Sequence, residues 1–225
     1  MIKLITLASG SSGNCYLLIH NEETLVIEQG IPFIEVKREL DYKINGIVGG
    51  ICSHIHQDHF KHTYEYEQSG IPIFKPFDTD KRKVIFSSFT IQAFEVVHDV
   101  PCFGFYIKVG GQKILFVTDT EYVGFNFKKL EVNHIICECN YQAEYVGDDE
   151  AKTNRVYQTH MELKTCESFI EANKTPALKT VILCHLSKVG ANPEEMINEV
   201  KQMVDSSVDV YIAKSGLEVD LEREF

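Results

Sequence analysis

The chain has 225 residues, of which 44% are hydrophobic and 24% are charged. That length is sufficient for one sizeable core, so we expect a single domain over residues 1–225, and the longest apolar runs are shorter than the ~20 residues that a membrane span requires. The formal net charge of −11 argues against a protein that coats DNA or RNA, because nonspecific affinity comes largely from Lys and Arg. A nucleic-acid enzyme is not excluded, since metal ions bound among carboxylates supply local positive charge.

The cysteines and the first residues indicate a cellular compartment. Seven cysteines stand at irregular positions, and an odd number in a chain of this size fits reduced thiols better than a disulfide framework. The strand-like run Ile2–Leu7 follows Met1 directly, without the basic and apolar regions of a secretory signal peptide. We therefore expect a soluble, cytoplasmic protein.

Short runs rich in β-branched and aromatic residues recur along the first half of the chain and predict strands. Asn21–Glu23 and Gly110–Gln112 join successive runs as tight turns, so the early strands should pair as antiparallel hairpins. Val208–Ala213 and Leu217–Leu221 are typical of closing strands. The strands predicted in the first half are Ile2–Leu7, Cys15–Ile19, Thr24–Ile27, Ile47–Ser53, Phe89–Val97, Phe103–Val109 and Lys113–Thr118.

Helical patterns interrupt the predicted strands. The last helix is well delimited, because Asn192 can cap it and Pro193 suits its first turn. The polar stretch Gln142–Lys152 has no apolar periodicity, which is typical either of a lid or of an ordinary surface connection. The predicted helices are Phe33–Leu40, Phe60–Gln68, Met161–Ala172 and Pro193–Val204.

The strongest functional signal directly follows an apolar strand. Within six residues it holds His54, His56, Asp58 and His59. Imidazole and carboxylate are ligands suited to Zn²⁺ and similar cations, and a strand end followed by a turn lets alternate side chains converge on one point. A loop that is rich in histidine by chance explains this spacing poorly. We expect His54 and His56 to share one metal ion and Asp58 and His59 to bind another.

Three further ligand-type residues follow strand-like runs, namely His98, Asp119 and His185. Each taken singly could be an ordinary polar residue that begins a loop. Together with the histidine cluster, they complete two coordination spheres that leave open positions for water, and the two oxygens of Asp119 could bridge two cations. The sequence therefore predicts two divalent metal ions, with Zn²⁺ favoured and Mn²⁺ as the alternative.

These metal-ligand candidates, in this order, resemble the metal-binding motifs of the metallo-β-lactamase superfamily over nearly the whole chain. The resemblance implies an α/β fold, an αββα sandwich with two mixed β-sheets flanked by helices. Five segments are more narrowly similar to the WalJ (YycJ) branch, which is linked to 5′-to-3′ exonuclease activity on single-stranded DNA and is related to ribonuclease Z. Those segments are Ala8–Asn14, Val97–Asp99, Phe116–Thr120, Glu138–Tyr141 and Leu183–Ser187.

The resemblance to ribonuclease Z implies catalytic roles for Glu138 and His160. In those enzymes a glutamate after a late strand contacts a histidine that opens the next helix, and this histidine donates a proton to the leaving group. The segment Thr159–Leu163 is similar, although a surface histidine near a helix start is the alternative. The expected chemistry is attack by a metal-bridging hydroxide, with Asp58 orienting that hydroxide and the protonated imidazole neutralising the departing alkoxide.

One segment departs from the family, because Glu28-Gln29-Gly30 stands where Asp-x-Gly is usual after the second hairpin. A longer carboxylate can still support a metal ligand from behind. We predict substrate contacts at Ser12, in a loop of small residues, and at Asn140 and Arg155, although the Ser12 loop could equally be only a tight turn.

The most direct functional prediction is a metal-dependent hydrolase of phosphodiester bonds, a 5′-to-3′ exonuclease with single-stranded DNA as its substrate. The alternative is a phosphodiesterase for cyclic nucleotides or other small molecules, because related folds do this and the acidic chain has no evident polynucleotide-binding domain. A β-lactam or thioester hydrolase and a metal-stabilised scaffold rank lower. The family resemblance also allows a homodimer.

Overall fold

The strands of the protein form two β-sheets. The computed structural model describes residues 1–146 and 156–222, in which one sheet has six strands and the other seven. The strands are β1 (Ile2–Ala8), β2 (Cys15–His20), β3 (Glu23–Ile27), β4 (Ile47–Ile51), β5 (Ile73–Phe74), β6 (Lys83–Phe86), β7 (Phe89–Val96), β8 (Cys102–Val109), β9 (Gln112–Val117), β10 (His134–Glu138), β11 (Thr180–Cys184), β12 (Asp209–Ile212) and β13 (Leu217–Asp220).

Helices lie between these strands in the sequence. A further helical turn covers residues 156–159, and a 3₁₀ turn covers Lys128–Leu130. The α-helices with fully described bounds are α1 (Phe33–Glu39), α2 (Gln57–Phe60), α3 (Thr63–Gln68), α4 (Leu163–Asn173) and α5 (Pro193–Met203).

Both sheets are mixed, and the parallel strands place chemically active residues at common edges. The first sheet has the order β13-β1-β2-β3-β4-β5, and the second has the order β12-β11-β10-β9-β8-β7-β6. In the second sheet β9, β10, β11 and β12 are parallel, whereas the early hairpins are antiparallel, as predicted. The carboxyl ends of parallel strands meet at one edge of a sheet, which is where ligands bind in open α/β sheets.

The two sheets pack face to face with helices outside them. Leu25 of the first sheet and Phe116 of the second belong to one buried cluster between the sheets. Because side chains alternate across a strand, the opposite faces pack on helices, with Phe33 of α1 in the cluster outside the first sheet. Phe169 of α4 lies in the cluster outside the second sheet. The αββα sandwich predicted from the sequence is confirmed.

The prediction of one continuous helix over Phe60–Gln68 was wrong, because the chain forms two short helices, α2 and α3, instead. The backbone N–H of Gln29 donates to the carbonyl of His59 over 2.7 Å, and the N–H of His62 donates to the carbonyl of Gln29 over 3.0 Å. These bonds use groups that a continuous helix would pair internally. The interruption fixes the residues around His59 against the end of β3.

The predicted helix starting at Met161 begins at Leu163, because the side chain of Glu162 accepts a hydrogen bond from the N–H of Lys164 and caps it. The last helix begins at Pro193 with Asn192 as its cap, as predicted. All seven cysteines are buried with free thiols. None of the helices in the described part of the chain is long and apolar enough to cross a bilayer.

Candidate metal centre

Three histidines from two strand ends form one group of potential ligands. His54 and His56 follow β4, and His98 follows β7. One ring nitrogen of each lies within 4.8 Å of the corresponding nitrogen of the others, and Nε2 of His98 is 3.2 Å from Nδ1 of His56. The structure therefore brings together three imidazoles that the sequence predicted as ligands.

The ring of His54 is held in the state that a metal ligand needs. Its Nδ1 lies 2.8 Å from Oγ of Ser53, whereas its buried Nε2 has no hydrogen-bond partner among the described residues. Burial, together with the neighbouring imidazole of His59, lowers the pKa of His54 to about 2. A neutral imidazole with an orphaned buried nitrogen fits a cation, because an unpaired buried polar atom is otherwise costly.

A second group of ligand atoms contains Asp58, His59, Asp119 and His185, again within 4.8 Å of one another. Nε2 of His59 lies 2.9 Å from a carboxylate oxygen of Asp119, and Nε2 of His185 lies 3.3 Å from one of Asp58. Burial raises the pKa of Asp119, but the charges of His185 and His59 outweigh it and hold that pKa well below its ordinary value.

The two ligand groups are immediate neighbours. The ring centroids of His54 and His59, one from each group, are 4.4 Å apart. His/Asp sets of this kind suit Zn²⁺ and similar divalent ions. The residues present are therefore able to hold a metal ion, and their donor chemistry fits one.

Glu138 accepts contacts from four sides at the buried edge of the centre. Its Oε2 accepts hydrogen bonds from the backbone N–H groups of Thr120 at 2.9 Å and Met161 at 3.1 Å. Its Oε1 lies 2.7 Å from Nδ1 of His160 and 3.0 Å from Nδ1 of His185. The carboxylate thus holds both rings through Nδ1, and Nε2 of His185 lies 3.3 Å from a carboxylate oxygen of Asp58.

The surroundings of His160 favour its protonated form beside the ligand groups. Burial lowers its pKa, but the charge of Glu138 and the hydrogen bond to it prevail and raise that pKa above the ordinary value. The ring stacks on that of His185 with centroids 5.3 Å apart, and 22% of the side chain remains exposed. A protonated imidazole that reaches solvent can donate a proton.

Glu28, the residue that departs from the family pattern, lies behind the ligands. Its Oε1 accepts a hydrogen bond from the N–H of Ser53 at 3.2 Å, and its Oε2 lies 3.3 Å from Nδ1 of His59. The side chain is fully buried. The longer carboxylate therefore reaches the same imidazole that a metal ion would bind on its other nitrogen.

The backbone at the centre adopts conformations that residues other than glycine rarely adopt. Glu28, Asp119 and His185 each follow a strand and have φ angles of 63°, 46° and 53°. Such left-handed conformations are unfavourable by about 1–2 kcal/mol per residue and cluster at functional sites. At Gly30, a Cβ atom would lie 1.8 Å from the carbonyl oxygen of Asp58, so only glycine allows this approach.

The residues predicted to contact substrate differ in their placement. Ser12 is exposed in the loop after β1. Asn140 is buried, and its amide donates to the carbonyl of His185 over 2.7 Å, so the contact that the structure gives it is with a candidate ligand. Arg155 lies outside the described residues. Of the predicted lid segment Gln142–Lys152, residues 147–152 also lie outside them, whereas Gln142, its first residue, is buried against the loop before α5.

Asn14 and Thr120 support the centre but were not singled out from the sequence. The amide nitrogen of Asn14 lies 3.0 Å from Nε2 of His59, and its Oδ1 accepts from the N–H of Gly10 at 2.8 Å. Thr120 donates its N–H to Glu138. Their signal in the sequence was weak, because both are polar residues in turns and only Thr120 adjoins a predicted ligand.

No family model and no curated protein matches the sequence, but solved structures match it over nearly its full length. YhfI from Bacillus subtilis, a metallo-β-lactamase-fold protein, has a TM-score of 0.75 and 19% identity, covering 97% of this chain and 98% of its own. The short form of human tRNase Z (ELAC1) has a TM-score of 0.67 and 16% identity, covering 98% and 100%. Yeast PDE1 has a TM-score of 0.68 and 11% identity, covering 96% and 98%.

Identities this low establish architecture and leave activity open. The two sheets and their flanking helices agree with the fold of these neighbours. The chain therefore has the metallo-β-lactamase fold.

Proposed function

We propose that this chain is a dinuclear metal-dependent phosphodiesterase, and that its substrate is single-stranded DNA digested from the 5′ end. The observation that carries the proposal is the pair of adjacent ligand groups, together with the orphaned Nε2 of His54 in the first group. Two cations bound there would neutralise charge on a phosphoryl group and acidify water. Zinc is favoured by the mixed imidazole and carboxylate donors.

The proposed ligand assignment follows the two groups. His54, His56 and His98 would hold the first cation, and Asp58, His59 and His185 would hold the second. Asp119 belongs to the second group and carries two oxygens, which suits a bridging position. The set of metal ligands is thus His54, His56, Asp58, His59, His98, Asp119 and His185.

Within this proposal, the chain's own residues position the substrate and supply a proton. His160 carries its proton close to the ligand cluster, and Glu138 keeps it charged. Donation of that proton to the departing oxygen avoids release of an alkoxide, a contribution typically worth ~10²–10⁴ in rate. A phosphodiester has such a leaving group, so the proton donor fits this reaction class.

The single-stranded DNA substrate is supported by the WalJ-like segments of the sequence and by the likeness to a tRNase Z, whose name denotes a nuclease. The small-molecule alternative is supported by the net charge of −11 and by the likeness to PDE1. These two proposals share the metal centre and the proton donor. They differ in whether the surface beside the centre binds a polynucleotide.

The deciding experiment compares end-labelled single-stranded DNA, single-stranded RNA and 3′,5′-cyclic nucleotides with Zn²⁺ or Mn²⁺ and with chelator. Metal-dependent shortening of the DNA from its 5′ end is the expected result. His56→Ala is the control, since it removes a ligand. Turnover of cyclic nucleotides alone would replace this proposal by the small-molecule one, and bound metal without hydrolysis of any phosphodiester would leave a scaffold.

A further inference from the structure

The segment after Asp119 leads from the metal centre to the protein surface. Its first residue, Thr120, donates its N–H to Glu138 and accepts a hydrogen bond from the N–H of Val97 at 3.1 Å. The N–H of Glu121 donates to the carbonyl of Val97 over 3.0 Å. These hydrogen bonds fix the start of the segment at the centre. Each following residue can take the chain at most ~3.6 Å further away.

Large aromatic side chains stand on this segment and remain in contact with water. Tyr122 is 48% exposed and Phe125 is 51% exposed. The rings of Phe125 and Phe127 pack against Phe94 of β7, with centroids 6.0 Å and 4.6 Å away. Phe94 in turn occupies space that only glycine leaves open, since a Cβ at Gly104 would lie 2.5 Å from its ring.

This arrangement gives the exposed ring of Phe125 a rigid base. A ring that is supported on one side by other aromatic side chains keeps its orientation and loses little conformational freedom when a ligand binds. Exposed apolar surface of this kind is unfavourable in water and marks a site of interaction. A nucleobase is a matching ligand, because every base has a flat π-face that stacks on an aromatic ring.

Two lysines continue the segment directly after the rings. Lys128 and Lys129 are exposed in the 3₁₀ turn that follows Phe127, and neither forms a salt bridge with another residue of the described ranges. In a chain with a net charge of −11, these two adjacent lysines provide local positive charge next to the aromatic segment. Interleaved aromatic and basic side chains are the pattern by which proteins bind single strands.

We propose that Tyr122, Phe125, Phe127, Lys128 and Lys129, here called the aromatic ridge, bind the part of a single-stranded polynucleotide that extends away from the scissile phosphate. Bases stack on Tyr122 and Phe125, and the lysines contact the phosphates. This inference rests on the proposed function and deepens it. Stacking on two rings together with phosphate contacts to the lysines requires more than one nucleotide, so the ridge favours a polymer as substrate.

The test measures binding by the full chain loaded with Zn²⁺, using fluorescent phosphorothioate oligo-dT and 2′-O-methyl oligo-U strands that resist hydrolysis. Tyr122→Ala and Phe125→Ala should each weaken binding about tenfold, a typical loss for one base–aromatic stack. Tyr42→Ala is the matched control, because Tyr42 is 63% exposed in the turn after α1 and should bind as the wild type does. A preference between the two strands distinguishes DNA from RNA.

The lysines are tested through salt dependence. Lys128→Gln with Lys129→Gln should reduce the slope of log affinity against log salt by about 1.4, because each phosphate contact with a single strand contributes about 0.7. Lys201→Gln, in the last turn of α5, is the control and should leave the slope unchanged.

Unchanged affinity in both aromatic variants, or no binding of either strand by the wild type, overturns the ridge. Conversion of a dimer to a monomer by Phe125→Ala, seen by light scattering, also overturns it, since the rings would then be covered by a second copy. Failure of the proposed function is separate. It would show as ridge-dependent binding without cleavage of unmodified strands, whereas cleavage with ridge-independent binding leaves the proposed function standing.

Discussion

Replacing Glu138 by glutamine tests whether one buried carboxylate holds the centre together. The side chain accepts contacts from two backbone N–H groups and two imidazoles. A carboxylate offers two acceptor oxygens, whereas glutamine offers one oxygen and one NH₂ donor. With both rings protonated on Nδ1, the NH₂ group of Glu138→Gln faces two other donors whichever way the amide is turned, so two of the four contacts are lost.

The magnitude follows from the number of lost contacts. A hydrogen bond to a charged group contributes about 1.5–3 kcal/mol. Two such losses should lower the free energy of unfolding by about 3–6 kcal/mol, a large part of the ~5–15 kcal/mol typical of folded proteins. Because Glu138 also orients His185, a candidate ligand, metal affinity should fall about 10- to 100-fold.

The assay is urea unfolding followed by circular dichroism in the presence of chelator, since the chain contains no tryptophan. Metal titration then follows on folded protein. Glu218→Gln is the control, because Glu218 forms an exposed salt bridge with Lys3, worth only about 0–1 kcal/mol. If Glu138→Gln matches the wild type in both stability and metal affinity, Glu138 does not position the two rings.

Further variants separate ligands, support and folding. His56→Ala should lose metal and activity together, whereas His160→Ala should keep its metal and lose about 10²–10⁴ in kcat, by metal analysis and single-turnover kinetics. Gly30→Ala should lower metal content, because its Cβ would displace the carbonyl of Asp58. Burial and the charge of a nearby lysine lower the pKa of His134 to about 3, against an ordinary value of 6.5. His134 therefore protonates first in the unfolded chain, so wild-type stability should fall by about 2 kcal/mol between about pH 7 and pH 5, and His134→Gln should remove that loss in urea unfolding.

Matched variants make each of these results decisive. Equal metal loss in His56→Ala and His160→Ala would contradict the role given to His160. Gly124→Ala, where a Cβ meets nothing within 4 Å, should retain wild-type metal content. Leu178→Ala should lower stability by a similar amount at both pH values, and a pH dependence in His134→Gln equal to that of the wild type would refute the burial argument.

The convergence of the candidate ligand side chains could be predicted from the sequence, because several of them follow strands whose pattern is strong. His54, His98 and His185 come at the ends of apolar runs, and strand ends converge at sheet edges. The two short strands β5 and β6 were not predicted, since two and four residues are too few for a periodic signal. Strand β10 was implied only through the resemblance that identified Glu138.

What the sequence could not give is the pairing between distant segments. That Glu138 serves four donors, or that Gln29 interrupts a helix by bonding to His59 and His62, depends on contacts between segments that no local pattern encodes. The aromatic ridge was missed for a similar reason. Tyr122 and Phe125 have no helical or strand spacing, and only the tertiary structure shows that their rings stay in water.

The left-handed backbone at Glu28, Asp119 and His185 has a consequence for protein engineering. Glycine relieves such a conformation, so selection for heat resistance in metal-free medium should favour glycine at these three positions. Each of these glycine substitutions would remove a candidate ligand or the carboxylate that supports one. Thermostability would therefore increase at the expense of metal binding at the same three positions. A stabilised form of this protein should therefore be sought with metal present during selection, because an ion that binds only the folded state would favour retention of these residues.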